Sequence, residues 1–301
     1  MSASRRTFIK KATLAVAGTT LFSRELFAAE KARQLTGVQL YSVRDDMKND
    51  PLGTLKQLAK MGYKNVEHAN YVDRKFYGYT AKEFKKVLKD VGLTMPSGHT
   101  VMRKEHWDET KKDFSDSWKY TVEDAAVLGQ MYVISPWLDE SLRKKQDELK
   151  RFLDVFNKSG ELCKKSGMKF GYHNHDFEFS EKFGDVPMYD VILQNTDRDL
   201  VIHQLDIGNL YNGGAIALEV LKKWPGRFQS MHVKDEIKAS SGNERYESTV
   251  LGAGIVSVRE VIDMGKKSGT IHFIIEQESY QGKTPLESVE EDLKIMKAWG
   301  Y

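Results

Sequence analysis

The 301-residue chain has a single cysteine, Cys163. That excludes an internal disulfide framework and any cysteine-rich zinc site. Its setting, SGELCKKSG, reads as the end of a helix and gives the thiol a packing role. Long apolar runs are also missing. The stretch from Ala12 to Phe22 is too short to anchor stably across a bilayer, and its threonines weaken it further. A basic body is absent as well. The whole chain carries 46 basic and 43 acidic residues, but residues 1–29 hold Arg5, Arg6, Lys10, Lys11 and Arg24 against Glu25 alone. The remainder is 41 basic against 42 acidic, so the basic surface of a nucleic-acid binder is not expected. There is no P-loop, no arginine–lysine cluster suited to a phosphate, and no compositional shift or long linker marking a second domain.

What the amino terminus does contain is a charged start, SRRTFIKK, a short apolar segment, and small residues at Ala28 and Ala29. This is the layout of an export signal, and the sequence around Arg5 and Arg6 resembles the twin-arginine consensus. The expectation is a twin-arginine export signal over residues 1–29, a folded domain over 30–301, and a periplasmic location. No clean A-x-A site is present, so cleavage near Ala28 or Ala29 and retention as an anchor both stay open.

Past residue 35 the chain repeats one rhythm: amphipathic helix, glycine, a few residues, short apolar strand. It occurs around Gly62, Gly92, Gly129, Gly167 and Gly269, each placed where a helix ends in a left-handed cap. Strands are predicted at 37–42, 63–68, 94–99, 131–136, 169–174, 201–206, 229–233 and 271–276. Helices are predicted near 51–61, 81–91, 117–128, 141–165, 187–194, 214–223, 256–267 and 286–298. Alternation of this kind implies a parallel sheet. Eight units in this length fit a single-domain α/β fold, the eight-stranded parallel (β/α)8 TIM barrel. A doubly wound sheet is the runner-up, but the first strand runs into YSVRDD rather than a glycine-rich loop.

In such a barrel, catalytic groups lie at the carboxyl ends of strands. Those ends carry Glu67 and His68, then His99, then His173 and His175, then Asp206 and Asn209. They continue with His232, Lys234 and Asp235, and finally Glu276 and Glu278. Five of the eight histidines fall in this set. Side chains alternate along a strand, so His173 and His175 are expected on one side and Asn174 on the other. Asp206, His232 and Glu276 come from three adjacent predicted strands and can converge on one ion. With no thiolate, the set suits Mn, Zn, Co or Mg; the bland reading is a buried ion-pair cluster.

The motifs GVQLYSVRD, YKNVEHA, YHNHDFEF, LDIGN, MHVKD and IIEQE, in this order, resemble the xylose-isomerase-like TIM-barrel superfamily of sugar isomerases and epimerases, from about residue 36 to the end. The resemblance implies one divalent metal held by Glu, Asp, His and Glu from the fifth to eighth strands. Asp206, His232 and Glu276 match the last three. His173 stands where the family has its first glutamate, with His175 and Glu178 nearby. The resemblance therefore implies His173, Asp206, His232 and Glu276 as metal ligands, with His175 the rival of His173. It implies His175 and Glu276 as catalytic groups, and Glu67, His99, Asn209 and Lys234 as substrate contacts. Asn209 stands where many relatives have a histidine. Lys234 and Asp235 could instead pair with each other. Trp107, Trp118 and Trp137 could stack on a sugar or simply pack, and the charged segment 103–114 reads as a lid or a solvated loop.

The implied activity is metal-dependent isomerisation or epimerisation of a sugar or keto-sugar, by removal of the proton α to a carbonyl. Export points to a non-phosphorylated substrate. The alternatives are a lyase cleaving 3-keto-glycosides by elimination through the same enediolate, and a non-catalytic sugar-binding barrel. An endonuclease-IV-like nuclease and a paired-carboxylate hydrolase are weaker. The expected partners are a small carbohydrate and the twin-arginine export machinery, with a homo-oligomer left open. Neither nucleic acid nor a stable membrane span is expected.

Overall fold

Local signals set the helix boundaries. Thr80 and Glu83 form a reciprocal capping box at one helix start, and Thr284 and Glu287 form another ahead of Pro285, satisfying amide groups that a first turn leaves unpaired. Asp50 caps a third by accepting from the Gly53 amide at 2.9 Å. The five glycines of the sequence rhythm all adopt positive φ, from 73° at Gly167 to 108° at Gly62, a region that costs glycine little. A computed structural model describes residues 35–240 and 245–301; the expected export signal lies outside the described residues.

The strands are β1 (Leu35–Gln39), β2 (Asn65–His68), β3 (Thr94–His99), β4 (Tyr132–Ser135), β5 (Lys169–His173), β6 (Val201–Asp206), β7 (Phe228–Val233) and β8 (His272–Ile275). Each leads towards a helix: α1 (Pro51–Met61), α2 (Ala81–Val91), α3 (Asp116–Leu128), α4 (Gln146–Lys164), α5 (Met188–Gln194), α6 (Ala217–Lys223), α7 (Val258–Lys267) and α8 (Pro285–Ala298). The strands close in sequence order, each beside the next and β8 beside β1. This is the expected single-domain TIM barrel, and Thr36–Tyr301 forms one compact unit.

Period-two alternation divides each strand between two environments. Outward residues such as Phe170, Tyr172, Leu205, Met231 and Phe273 pack under the helices in one large apolar core. Inward residues fill the barrel in layers. Tyr132, Ile134 and Ile202 form a small apolar plug. Gln39, Glu67, Ser97, Gln204, Ser230 and His232 are all fully buried polar residues. A barrel that buries this much polarity must pair it internally.

The βα loops on the catalytic face carry small elements that the sequence reading did not anticipate. They include the hairpin Asp235–Lys238/Tyr246–Thr249 and the short helix Ile207–Asn212. The segment 103–114 forms a 3-10 turn at Lys104–His106 and a two-residue hairpin. Cys163 is buried and free, and burial pushes its thiol up to about 12. Among the described residues no helix is long and apolar enough to cross a membrane.

Candidate active site

A cleft of about 1310 Å³ opens over the carboxyl ends of the strands. His99, His173, His175, Asn209, Lys234 and Glu276 all line it. Glu67 does not. It lies beneath the floor, fully buried, so it is withheld from the substrate contact expected of it. Its oxygens accept from Gln39 Nε2 at 2.8 Å, Gln204 Nε2 at 2.9 Å, Ser97 Oγ and His232 Nε2 at 2.6 Å. Although burial opposes its charge, the imidazoles of His99 and His232 hold its carboxyl below the usual range. Glu67 is thus an anionic base plate on which the ring of histidines stands.

Gln204, which the sequence reading passed over, fixes two of those rings. Its amide nitrogen donates to Glu67 and Ser230, which turns its oxygen towards His99 Nε2 at 2.7 Å and His173 Nδ1 at 3.0 Å. An imidazole that donates from one nitrogen presents a lone pair at the other. His173 therefore offers Nε2, which lies 4.0 Å from Asp206 Oδ2. His232 stands between carboxylates: Nε2 donates to Glu67, and Nδ1 faces Glu276 Oε2 at 3.0 Å and Asp206 Oδ2 at 3.7 Å. Without another cation, the carboxylates of Glu276 and Glu67 hold His232 protonated well above the ordinary histidine range, despite burial.

Asp206 ends β6 and caps the following helix, its Oδ1 accepting from the Asn209 amide at 2.7 Å. Its Oδ2 is buried and has no hydrogen-bond partner. Asn174, pointing away from His173, locks the ends of β5 and β6 together through the backbone of Asp206 at 3.0 and 3.1 Å. Lys234, 1% exposed, reaches Asp206 Oδ2 at 3.2 Å, Glu276 Oε2 at 2.9 Å and Glu278 Oε1 at 2.6 Å. Its ammonium counters burial through these carboxylates and stays charged well above the usual lysine range. Lys234 and Asp235 do not pair. Asp235 turns the other way and accepts from the amides of Glu236, Gly252, Gly254 and Val256.

The donor chemistry fits a divalent ion. Asp206, His232 and Glu276 bring ligand atoms within 4.8 Å of one another, as do His99, His173 and His232. Asp206 Oδ2, which makes no hydrogen bond and meets only the Lys234 ammonium at 3.2 Å, is a group a divalent cation would satisfy, and His232 backed by the Glu67 carboxylate is the arrangement in which a metal-binding imidazole is oriented. His175 lies just beyond β5. Its ring is 5.3 Å from His173 and edge-on to Trp137 at 5.1 Å, with Nδ1 unpartnered. Burial lowers it to about 4, so the ring is neutral at ordinary pH. Of Trp107, Trp118 and Trp137, only Trp137 lines the cleft; Trp118 is fully buried and donates to Ser159 Oγ at 2.9 Å, and Trp107 packs on Phe114.

The fold and this floor define the class: a TIM barrel whose catalytic face carries a mixed imidazole–carboxylate centre. The sequence profile of the xylose isomerase-like TIM barrel family matches residues 55–299, and the chain belongs to that family. An inosose dehydratase from Clostridium perfringens is 27% identical over 194 residues, covering 60% of this chain and 62% of that relative, less than two thirds of its length. An inosose dehydratase from Clostridium botulinum is 25% identical over 268 residues, covering 82% and 84%. A solved sugar phosphate isomerase/epimerase from Parabacteroides distasonis superposes with a TM-score of 0.74 at 27% identity, over 89% of this chain and 94% of that one.

Proposed function

We propose that the protein is a divalent-metal-dependent carbohydrate enzyme that removes the proton α to a carbonyl of a non-phosphorylated sugar or keto-sugar. The observation that carries this is the convergence of buried Asp206, His232 and Glu276, with His173 beside them, at the floor of the cleft. Asp206, His232, Glu276 and His173 would hold the ion, which supplies Lewis-acid stabilisation of the developing enolate charge. His175, neutral and facing the cleft, is placed to accept the α proton, with Glu276 as the other candidate base. Asn209 and Lys234 line the same floor, and the Asn209 amide can donate to a substrate oxygen. Lys234 is already engaged by three carboxylates, which makes the floor a poor receptor for a phosphate dianion.

Once the α proton has gone, its return elsewhere gives isomerisation or epimerisation, and loss of a β-substituent gives elimination. Elimination is the reading this chain supports better. Epimerisation needs proton-transfer groups on both faces of the carbon, and the fifth strand offers His173, tied to Gln204, where the family has a carboxylate. The dehydratase relatives point the same way. We also propose export by the twin-arginine route to the periplasm, on the strength of the sequence around Arg5 and Arg6.

The test is metal analysis of purified protein, then incubation with keto-sugars and 3-keto-glycosides in D₂O. Deuterium α to the carbonyl with release of the β-substituent supports a lyase. Deuterium without release, or with a moved carbonyl, supports an epimerase or isomerase. Binding with no exchange and no metal would refute the enzymatic reading.

A further inference from the structure

One buried acid at the cleft has no assigned task. Glu236 follows Lys234 and Asp235 out of β7, is 2% exposed, and lines the cleft. Its Oε2 is buried and has no hydrogen-bond partner. Its position is built. Asp235 gathers four backbone amides, including that of Glu236 itself, and the Glu236 carbonyl accepts from Ile255 at 2.9 Å. Gly208 leaves room for the carboxyl: a Cβ at that position would stand 2.4 Å from Glu236 Oε1 and 2.6 Å from Lys234 Cδ. A side chain at 208 would push both groups out of place.

A buried polar atom without a partner costs free energy unless a ligand supplies one. Burial, with the carboxylates around it, sets the form the carboxyl takes. Burial, Asp206, Glu278 and Asp235 favour its proton and Lys234 opposes it, and the balance raises it to about 8. At neutral pH the cleft is thus lined by a carboxylic acid whose O–H has no acceptor in the protein.

We propose that Glu236 is the general acid of this site, protonating the oxygen that departs from the β carbon during elimination. This rests on the elimination reading above. The base takes the α hydrogen as a proton, and the C–H electron pair becomes the C=C bond. The β C–O bond breaks with its electron pair on oxygen, which takes the Glu236 proton and leaves as water or an alcohol. Glu236 is reprotonated from solvent, the base releases its proton there, and no electrons are exchanged.

The test compares two 3-keto-glucosides, one with a methoxy and one with a p-nitrophenoxy leaving group, on metal-loaded native protein and on Glu236→Gln. A nitrophenolate departs without protonation; methoxide does not. Glu236→Gln should slow methanol release by roughly 100-fold or more, the scale of general acid catalysis. Nitrophenolate release and deuterium exchange α to the carbonyl should change by less than about 5-fold, and intact exchange also shows that the variant is folded. An equal fall for both leaving groups, a parallel loss of exchange, or no fall at all would overturn the role. Native protein that exchanges deuterium but releases neither group overturns the acid while leaving α-proton removal standing. Native protein that does neither overturns both.

Discussion

Lys234→Met is the most informative single change at the floor, because it separates the charge balance of the site from its shape. The ammonium is 2.9 Å from Glu276 Oε2 and 3.2 Å from Asp206 Oδ2, both buried, and 2.6 Å from the more exposed Glu278. Each buried contact is worth roughly 5 kcal/mol of gross attraction at an effective dielectric near 20, most of it offset by desolvation. Removing one partner of a buried pair costs about 3–5 kcal/mol, because the other charge is stranded. The Glu278 contact adds about 0–1 kcal/mol, being open to solvent. For a domain of this size the loss corresponds to a fall in Tm on the order of 10 °C.

A divalent ion changes the outcome. If Asp206 and Glu276 are ligands, bound metal neutralises the carboxylates that Lys234→Met strands, so the penalty should appear in chelator and largely vanish with metal. Native protein gains from metal as well, so the gap narrows only as far as the variant binds the ion more tightly; about 100-fold tighter binding would close it by roughly 2.7 kcal/mol, most of the loss. The assay is thermal unfolding of both proteins in EDTA and in Mn²⁺ or Zn²⁺. Equal Tm losses with and without metal would refute the shared-cation argument. So would a variant more stable than native in chelator, since that would make Lys234 a net burden.

Three further outcomes follow from the same geometry. His173→Ala should weaken metal binding by more than the roughly 10–100-fold cost of losing an outer hydrogen-bond partner, whereas His175→Ala should keep its metal and lose turnover. Metal titration of both variants reads this, and metal loss on the His175 change would swap the two roles. Glu178, fully buried and accepting from Tyr172 at 2.5 Å and the His175 amide at 2.9 Å, is raised by burial to about 8. Between about pH 4.5 and 8 the unfolded chain has released this proton and the folded one keeps it, so stability falls as pH rises, by on the order of 5 kcal/mol. Glu178→Gln should remove one proton's worth of that slope in urea unfolding at pH 5, 7 and 9; parallel curves would contradict it. Replacing Arg5 and Arg6 together with Lys should leave the protein in the cytoplasm, as fractionation would show, and unchanged periplasmic recovery would point to another route.

The barrel was legible because its signals are local. The glycine stops at Gly92 and Gly129 act within a turn, and the structure follows them closely. The misjudged boundaries have local causes too. The helix expected from 141 begins at Gln146 because residues 140–142 form a 3-10 turn whose successor, Arg143, donates to the Leu138 carbonyl. The helix expected from 214 begins at Ala217 because Gly214 takes a left-handed φ of 80°.

The floor of the site was only half legible, and depth explains the division. Alternation says that Glu67, His99, His173, Gln204 and His232 face inward, but not how far below the rim each one ends. That depends on strand stagger, which no single strand encodes. Barrel closure puts Glu67 beside His232 across 165 residues of sequence, and so turns an apparent substrate contact into the anchor of a candidate ligand. The same closure gives Gln204, an unremarkable amide in HQLD, control of two imidazole tautomers. Glu236 lay hidden for a different reason. Its importance rests on a missing hydrogen bond and on the close approach of its carboxyl to Gly208, and neither has a spacing to read. Ionisable groups at strand ends can therefore be found from sequence. Their roles are set by the neutral partners around them, which appear only when the barrel is closed.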